Sequence, residues 1–191
     1  MLIRLTKISD AKHRLALVRD DGTHESVELV SRSFFWHDLL HYAVETNAQL
    51  HQSFWGLLAA GRTLADLHDA MGEGDRAGPK ARGTEATITE AIVGVLTDVA
   101  RERASPSAAI DGLTRLFEAQ DREPPIWFTL EFAERVREHM RKLMGQWRAL
   151  PYGTDMQLTF GTLDQTAASS RQPTRSKKPA PNAGAGFLVT D

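Results

Sequence analysis

The chain has 191 residues, of which 41% are hydrophobic and 25% charged, with 23 basic side chains against 25 acidic ones and no cysteine. That length predicts a single domain that can bury a core without disulfides or a structural metal. The missing cysteine excludes thiolate nucleophiles, iron–sulfur clusters and cysteine-based zinc sites, and a net charge of -2 provides no broad field for nucleic acid or an anionic membrane.

No apolar run approaches the ~18 residues of a membrane span, and residues 1–8 alternate rather than forming a signal-peptide core. The expectation is a soluble, cytoplasmic protein. Ile3 and Leu5 alternate with Arg4 and Thr6, the period-2 pattern of a half-buried strand. His13, Leu15 and Leu17 repeat it, and so do Glu25, Val27 and Leu29. A two-residue loop at Asp21-Gly22 would set Leu15 against Glu28. A three-residue loop sets Leu15 against Val27 and His13 against Leu29, with Gly22 in the left-handed position that ends a type I turn. Burial favours the three-residue hairpin.

From Trp36 the period becomes helical. Leu39, Leu40, Ala43 and Val44 share an arc, and Phe54, Leu57 and Leu58 continue an apolar pattern that ends at Gly61. A short helix is expected from Thr63 to about Ala70, capped by Thr63, and a mobile loop over Gly72–Gly83. Ile88, Ile92, Val95 and Val99, widened by Val93 and Leu96, predict a largely buried helix. Ser105 or Ser107 caps the next, which carries Ile110, Leu113, Leu116 and Phe117. After Pro124-Pro125 a long amphipathic helix runs from about Leu130 to Leu150, with Val136, Met140, Leu143 and Trp147 inward and Arg135, Glu138 and Arg141 outward. Met156, Leu158 and Phe160 alternate as a final strand returning to the N-terminal sheet. Beyond Gly161 the composition is too poor in apolar residues to offset ordering entropy. These elements predict an α+β domain over residues 1–162, a small antiparallel sheet covered by about five helices, followed by a disordered tail over 163–191.

Chemistry concentrates in His37-Asp38-Leu39-Leu40-His41-Tyr42-Ala43-Val44-Glu45. At roughly 100° per residue, His41, Glu45 and Asp38 fall within about 100° of His37, a polar stripe at the margin of the buried face. Two histidines at i and i+4 reach one divalent ion, zinc above all. His37 and Glu45 are ~12 Å apart along the axis, too far to share it. Either His37 and His41 bind, with Glu45 accepting a hydrogen bond from His41, or His41 and Glu45 bind, with His37 outside. The first is preferred, because near a helix start the dipole keeps both imidazoles neutral. Glu90, a polar position on an otherwise apolar helix, leads as the third ligand, ahead of His51, His68 and Glu131. The competing reading for Glu90 is an exposed stripe with Thr97 and Arg101.

The segment resembles the His-Glu-x-x-His helix of zinc-dependent peptidases, with Asp38 at the Glu position. That resemblance implies that Asp38 is the base activating a metal-bound water. The Gly-x-x-His continuation of the metzincin group does not follow His41. A phosphohydrolase of the His-Asp type is excluded because His13 and His24 fall on predicted strands. His-Asp-Leu-x-His-Tyr-Ala-Val-Glu also resembles a signature of small bacterial proteins of unassigned function, over residues 34–61 and loosely over the closing helix and strand. It implies no activity.

Two functions remain. One is a metal-dependent, hydrolase-like protein with His37, His41 and Glu90 as ligands, and with Asp38 or Glu45 as base or as support to the ligands. The other is a non-catalytic binding or structural protein, its partner a small molecule or another protein, whose His/Glu cluster is a buried hydrogen-bond network. Metal-free acid–base chemistry by His41 with Glu45 is a third, narrower option. Glycine-rich phosphate loops and nucleophile elbows are missing, and basic residues are not interleaved with aromatics as RNA binding requires.

Overall fold

A computed structural model describes residues 1–31, 35–67 and 84–161. The loop expected at 72–83, the tail from 163, His68 and the end of the short helix after Thr63 lie outside them; the beginning of that helix is present at 64–67. Strands β1 (Leu2–Lys7), β2 (Lys12–Val18) and β3 (His24–Val30) open the chain. Helices α1 (Trp36–Ala48), α2 (Phe54–Ala59), α3 (Thr84–Ala100), α4 (Pro106–Glu118) and α5 (Leu130–Ala149) follow, and β4 (Asp155–Thr159) closes the described residues. The class is α+β, with one antiparallel sheet in the order β3-β2-β1-β4.

Side-chain alternation decides the sheet. Ile3 faces Leu17 and Leu158, and Leu5 faces Leu15 and Met156, so one face is a continuous apolar surface under the helices. Arg4, Arg14, Glu28 and Gln157 occupy the other, polar face. The hairpin adopts the three-residue loop: Leu15 pairs with Val27 and His13 with Leu29, and Gly22 has a φ of 85°. Glu25 sits opposite Leu17 on the helix-facing side. It is tolerated there because Arg19, itself buried, pairs with it and donates on to the carbonyls of Leu58 (2.6 Å) and Arg62 (2.7 Å). That network fastens the hairpin to the C-terminal end of α2.

The helices obey their local signals. Ser105 caps α4 by accepting from the Ala108 amide (3.2 Å), and Thr129 caps α5 by accepting from Phe132 (3.2 Å). Helix α5 buries Phe132, Ala133, Val136, Met140, Leu143 and Trp147. The apolar pattern that runs from α1 into 54–58 is not one helix. Gln49 adopts a left-handed conformation (φ 56°) and ends α1, and the chain turns back before Phe54. Helix α1 lies in the middle, against α2, α3 and α5, and Tyr42 ties it to the sheet by donating to the Thr159 carbonyl (3.0 Å). Among the described residues no helix is long and apolar enough to cross a membrane.

His13 is the fully buried polar residue of the sheet's inner face. Its Nδ1 meets Ser31 Oγ (3.1 Å) and its ring stands edge-on to Phe35 (5.1 Å between centroids). Burial holds its pKa down at about 4. Because an unfolded chain protonates His13 first, stability from this group is complete above about pH 6.5 and is lost as pH falls from there towards 4, by about 3 kcal/mol in all. Urea unfolding across that range should show a shallower decline for His13→Leu than for the wild type. Parallel pH profiles would contradict the assignment.

Candidate metal centre

The polar stripe of α1 is more deeply enclosed than a single-helix projection implies. His41 is 2% exposed and Glu45 0%, and Asp38 is also buried. Among the four, His37 alone reaches the surface, with 39% of its side chain exposed. The enclosure comes from α2, which doubles back over the stripe. Glu45 Oε2 accepts the backbone amides of Trp55 (2.9 Å) and Gly56 (3.2 Å). These belong to the first turn of α2, where helix amides have no internal partners. Ser53 stands at the cap position without making a side-chain cap bond, so a carboxylate from the preceding helix supplies the cap. The indole of Trp55 locks the same pair of helices by donating to the Asp38 carbonyl (3.0 Å).

Glu45 thereby becomes a support for His41 and is not itself available as a ligand. Its Oε1 lies 3.2 Å from His41 Nδ1. A carboxylate oxygen accepts, so Nδ1 carries the proton, as expected for a histidine that is aimed elsewhere through Nε2. That Nε2 is buried without a hydrogen bond among the described residues and lies 3.5 Å from Glu90 Oε1, beyond good hydrogen-bond length. His37 repeats the pattern more loosely. Its Nδ1 is 4.0 Å from Asp38 Oδ1 and its Nε2 is 3.8 Å from Glu90 Oε2. The two imidazole centroids are 4.6 Å apart.

Glu90, from α3, stands beside both histidines. One ligand atom each from His37, His41 and Glu90 lies within 4.8 Å of the other two. Ligand atoms around a tetrahedral zinc are roughly 3.3 Å apart. Closing the difference requires movement of the two partly exposed members, His37 and Glu90 (33% exposed). The remaining candidates are elsewhere: Glu131 pairs with Arg135 (2.8 Å) on α5, and His51 lies in the turn before α2, where its backbone would clash with a Cβ on Gly56.

Charge within the cluster is uneven. Desolvation works against a charged His41, but Glu45 and Glu90 outweigh it and push its pKa up to about 9. His37 shifts down, through burial first and then the neighbouring His41 charge, with Glu90 opposing. Burial raises Asp38 to about 7, against the pull of His41. The expectation that both imidazoles are neutral therefore holds for His37 alone. The helix dipole at α1 is weaker than two carboxylates beside His41. Sequence reasoning also missed the Glu45 cap on α2, for which Gly56 in the first turn of a short apolar helix was the available signal.

Comparison with protein-family models, with curated proteins and with solved structures finds no match for this chain.

Substitutions at two positions test the enclosure. Glu45→Ala leaves two amides and His41 without their acceptor and should cost about 3–5 kcal/mol in urea unfolding, as loss of one member of a buried charged network does. Glu45→Gln retains an acceptor oxygen and should cost roughly half as much. Gly56→Ala should destabilise by about 3 kcal/mol, the upper range for overpacking, because its Cβ meets backbone and not a movable side chain. A near-neutral result for Gly56→Ala would mean that the turn at His51 yields.

Proposed function

We propose that the protein binds a divalent metal ion, zinc in preference, through His37 Nε2, His41 Nε2 and the Glu90 carboxylate, and that it is a metal-dependent, hydrolase-like protein. One observation carries the reading: both histidines turn Nε2 toward the same carboxylate while the Nδ1 of each faces another, Glu45 behind His41 and Asp38 behind His37. Carboxylates behind ligating histidines fix tautomer and ring orientation and raise ligand basicity. Two histidines and one glutamate form a donor set of catalytic zinc sites, which keep a further position for water. Zinc bound there would supply a water acidic enough to attack at neutral pH.

The protein's own contribution is positional. His41 and Glu45 form the rigid, buried wall of the site, and His37 and Glu90 form the partly exposed edge that a substrate meets. Asp38, raised to about 7, is the carboxyl whose protonation changes near neutral pH, the property that general acid–base catalysis uses. In this reading it orients His37 and is available to exchange a proton.

A non-catalytic reading has one observation in its favour. Glu45 uses both oxygens on His41 and on α2, so the inner half of the cluster already does structural work without an ion.

Elemental analysis of protein purified without an affinity tag separates the two. The metal reading expects one zinc per chain in the wild type, and loss of that zinc from folded His37→Ala and Glu90→Gln variants. His37→Ala is the decisive variant, since its side chain is the most exposed and its removal should leave the stability of the metal-free protein within about 0.5 kcal/mol. Wild-type protein that neither carries metal nor takes up added equimolar zinc refutes the proposal.

A further inference from the structure

A second site lies at the far end of α3. The helix ends in a Schellman turn: Glu102 takes the left-handed position (φ 58°), its amide donates to Val99 (3.0 Å), and the Arg103 amide reaches back to Asp98 (2.8 Å). This turn sets Arg101 and Arg103 opposite Arg141 and Arg148 of α5, around a cavity of about 300 Å³. Trp36, Met140 and Met144 supply its apolar lining.

Donor capacity here exceeds acceptor capacity. Arg141 is already committed to Glu138 by two bonds of 2.8 Å. Arg101 lies over the Trp36 ring, 5.5 Å from its centroid, which orients the guanidinium without neutralising it. Arg103 and Arg148 have no ion-pair partner among the described residues. Among the described residues Glu102 is the cavity's one carboxylate, against four guanidinium groups. Trp36 Nε1 is buried and has no acceptor among the described residues, an uncommon and costly state for an indole N–H. An oxygen-rich anion offers the acceptors that Arg101, Arg103 and Arg148 lack. Guanidinium forks match the oxygens of phosphate in pairs, and the indole and thioethers accommodate an apolar body beside them. The volume is at the lower end of small-molecule sites.

We infer that this cavity binds a small phosphate monoester with an apolar body, its phosphate held by Arg101, Arg103 and Arg148 and its body lying against Trp36, Met140 and Met144. The site shares no side chain with the candidate metal centre, although its Trp36 precedes His37 in α1. None of His37, His41 and Glu90 lines it, and Glu90 and Arg101 are separated by about 16 Å of helix. It stands whether or not a metal is bound.

The test is calorimetric titration of the full chain with phenyl phosphate, alongside inorganic phosphate and phenylacetate. Phenyl phosphate should bind with one-to-one stoichiometry, more tightly than either comparison ligand, and should weaken as salt rises. The double variant Arg103→Gln/Arg148→Gln should weaken it at least tenfold, and Arg137→Gln, outside the cavity, should change it less than twofold. His37→Ala should leave the affinity unaltered, which separates this site from anion binding at a metal. No saturable binding to the wild type, equal loss in Arg137→Gln, or loss in His37→Ala would each overturn the inference. Phenylacetate binding as tightly as phenyl phosphate would overturn the phosphate assignment, as would binding of a short oligonucleotide in the absence of phenyl phosphate binding. The three arginine positions are exposed, so these variants are expected to fold.

Discussion

The arrangement of the helices depends on one carboxylate. Glu45 is fully buried, yet it meets three donors from two directions: the imidazole of its own helix and two amides of the next. Removing a charge from water costs several kcal/mol, and only a dense set of hydrogen bonds offsets that. The same bonds decide where α2 goes. A six-residue helix has little stability of its own, and here its open end is fastened to a group that cannot move. Trp55 then fills the space beneath, with its indole on Asp38 and its ring enclosed by the core. Glu45 thus defines both the path of the chain after Gln49 and the rotamer of His41.

That inner rigidity contrasts with the outer edge of the cluster. His41 is held by packing and by Glu45, whereas His37 and Glu90 are partly solvated and joined by distances too long for hydrogen bonds. A half-fixed, half-adaptable set of donors suits a group that arrives from outside better than it suits a self-sufficient network, in which each polar atom would already have a partner. His41 Nε2, which faces Glu90 at 3.5 Å without a well-formed hydrogen bond, is the atom in which this distinction is concentrated. At the other end of α3 the imbalance is of the opposite kind, with cationic donors gathered around an apolar floor. Helix α3 therefore contributes to a carboxylate–imidazole cluster with α1 in its first half and borders a cationic cavity with α5 at its end.

Legibility followed the range of the interactions. The hairpin register was readable because a slip of one residue exchanges every buried side chain, so Leu15, Val27 and Leu29 carry the answer within fifteen residues of one another. Helix α5 was readable because its apolar stripe repeats for five turns after Pro124-Pro125. The His37–His41 spacing indicated a shared face for the same local reason. What escaped was non-local. The break at Gln49 uses a left-handed residue that is not glycine, and the cap on α2 comes from ten residues upstream. That α2 covers the polar stripe is a property of two helices together, which a projection of α1 alone cannot contain. Glu90 could be nominated by its type but not placed, since nothing in α3 by itself says which neighbour its polar position faces.

The sheet order has a consequence for how the molecule is made. Strand β1 lies between β2, which follows it at once, and β4, which arrives after every described helix. As the chain leaves the ribosome, the hairpins and then the helices can assemble on a three-stranded platform, but one flank of β1 keeps its amides and carbonyls unsatisfied until the last strand emerges. Pairing over so long a separation is slow, because the entropy of closing the intervening loop is spent before any contact is gained. During that interval β1 offers an open edge to any extended segment nearby, so nascent chains stalled before residue 155 would be the form of this protein most in need of a chaperone.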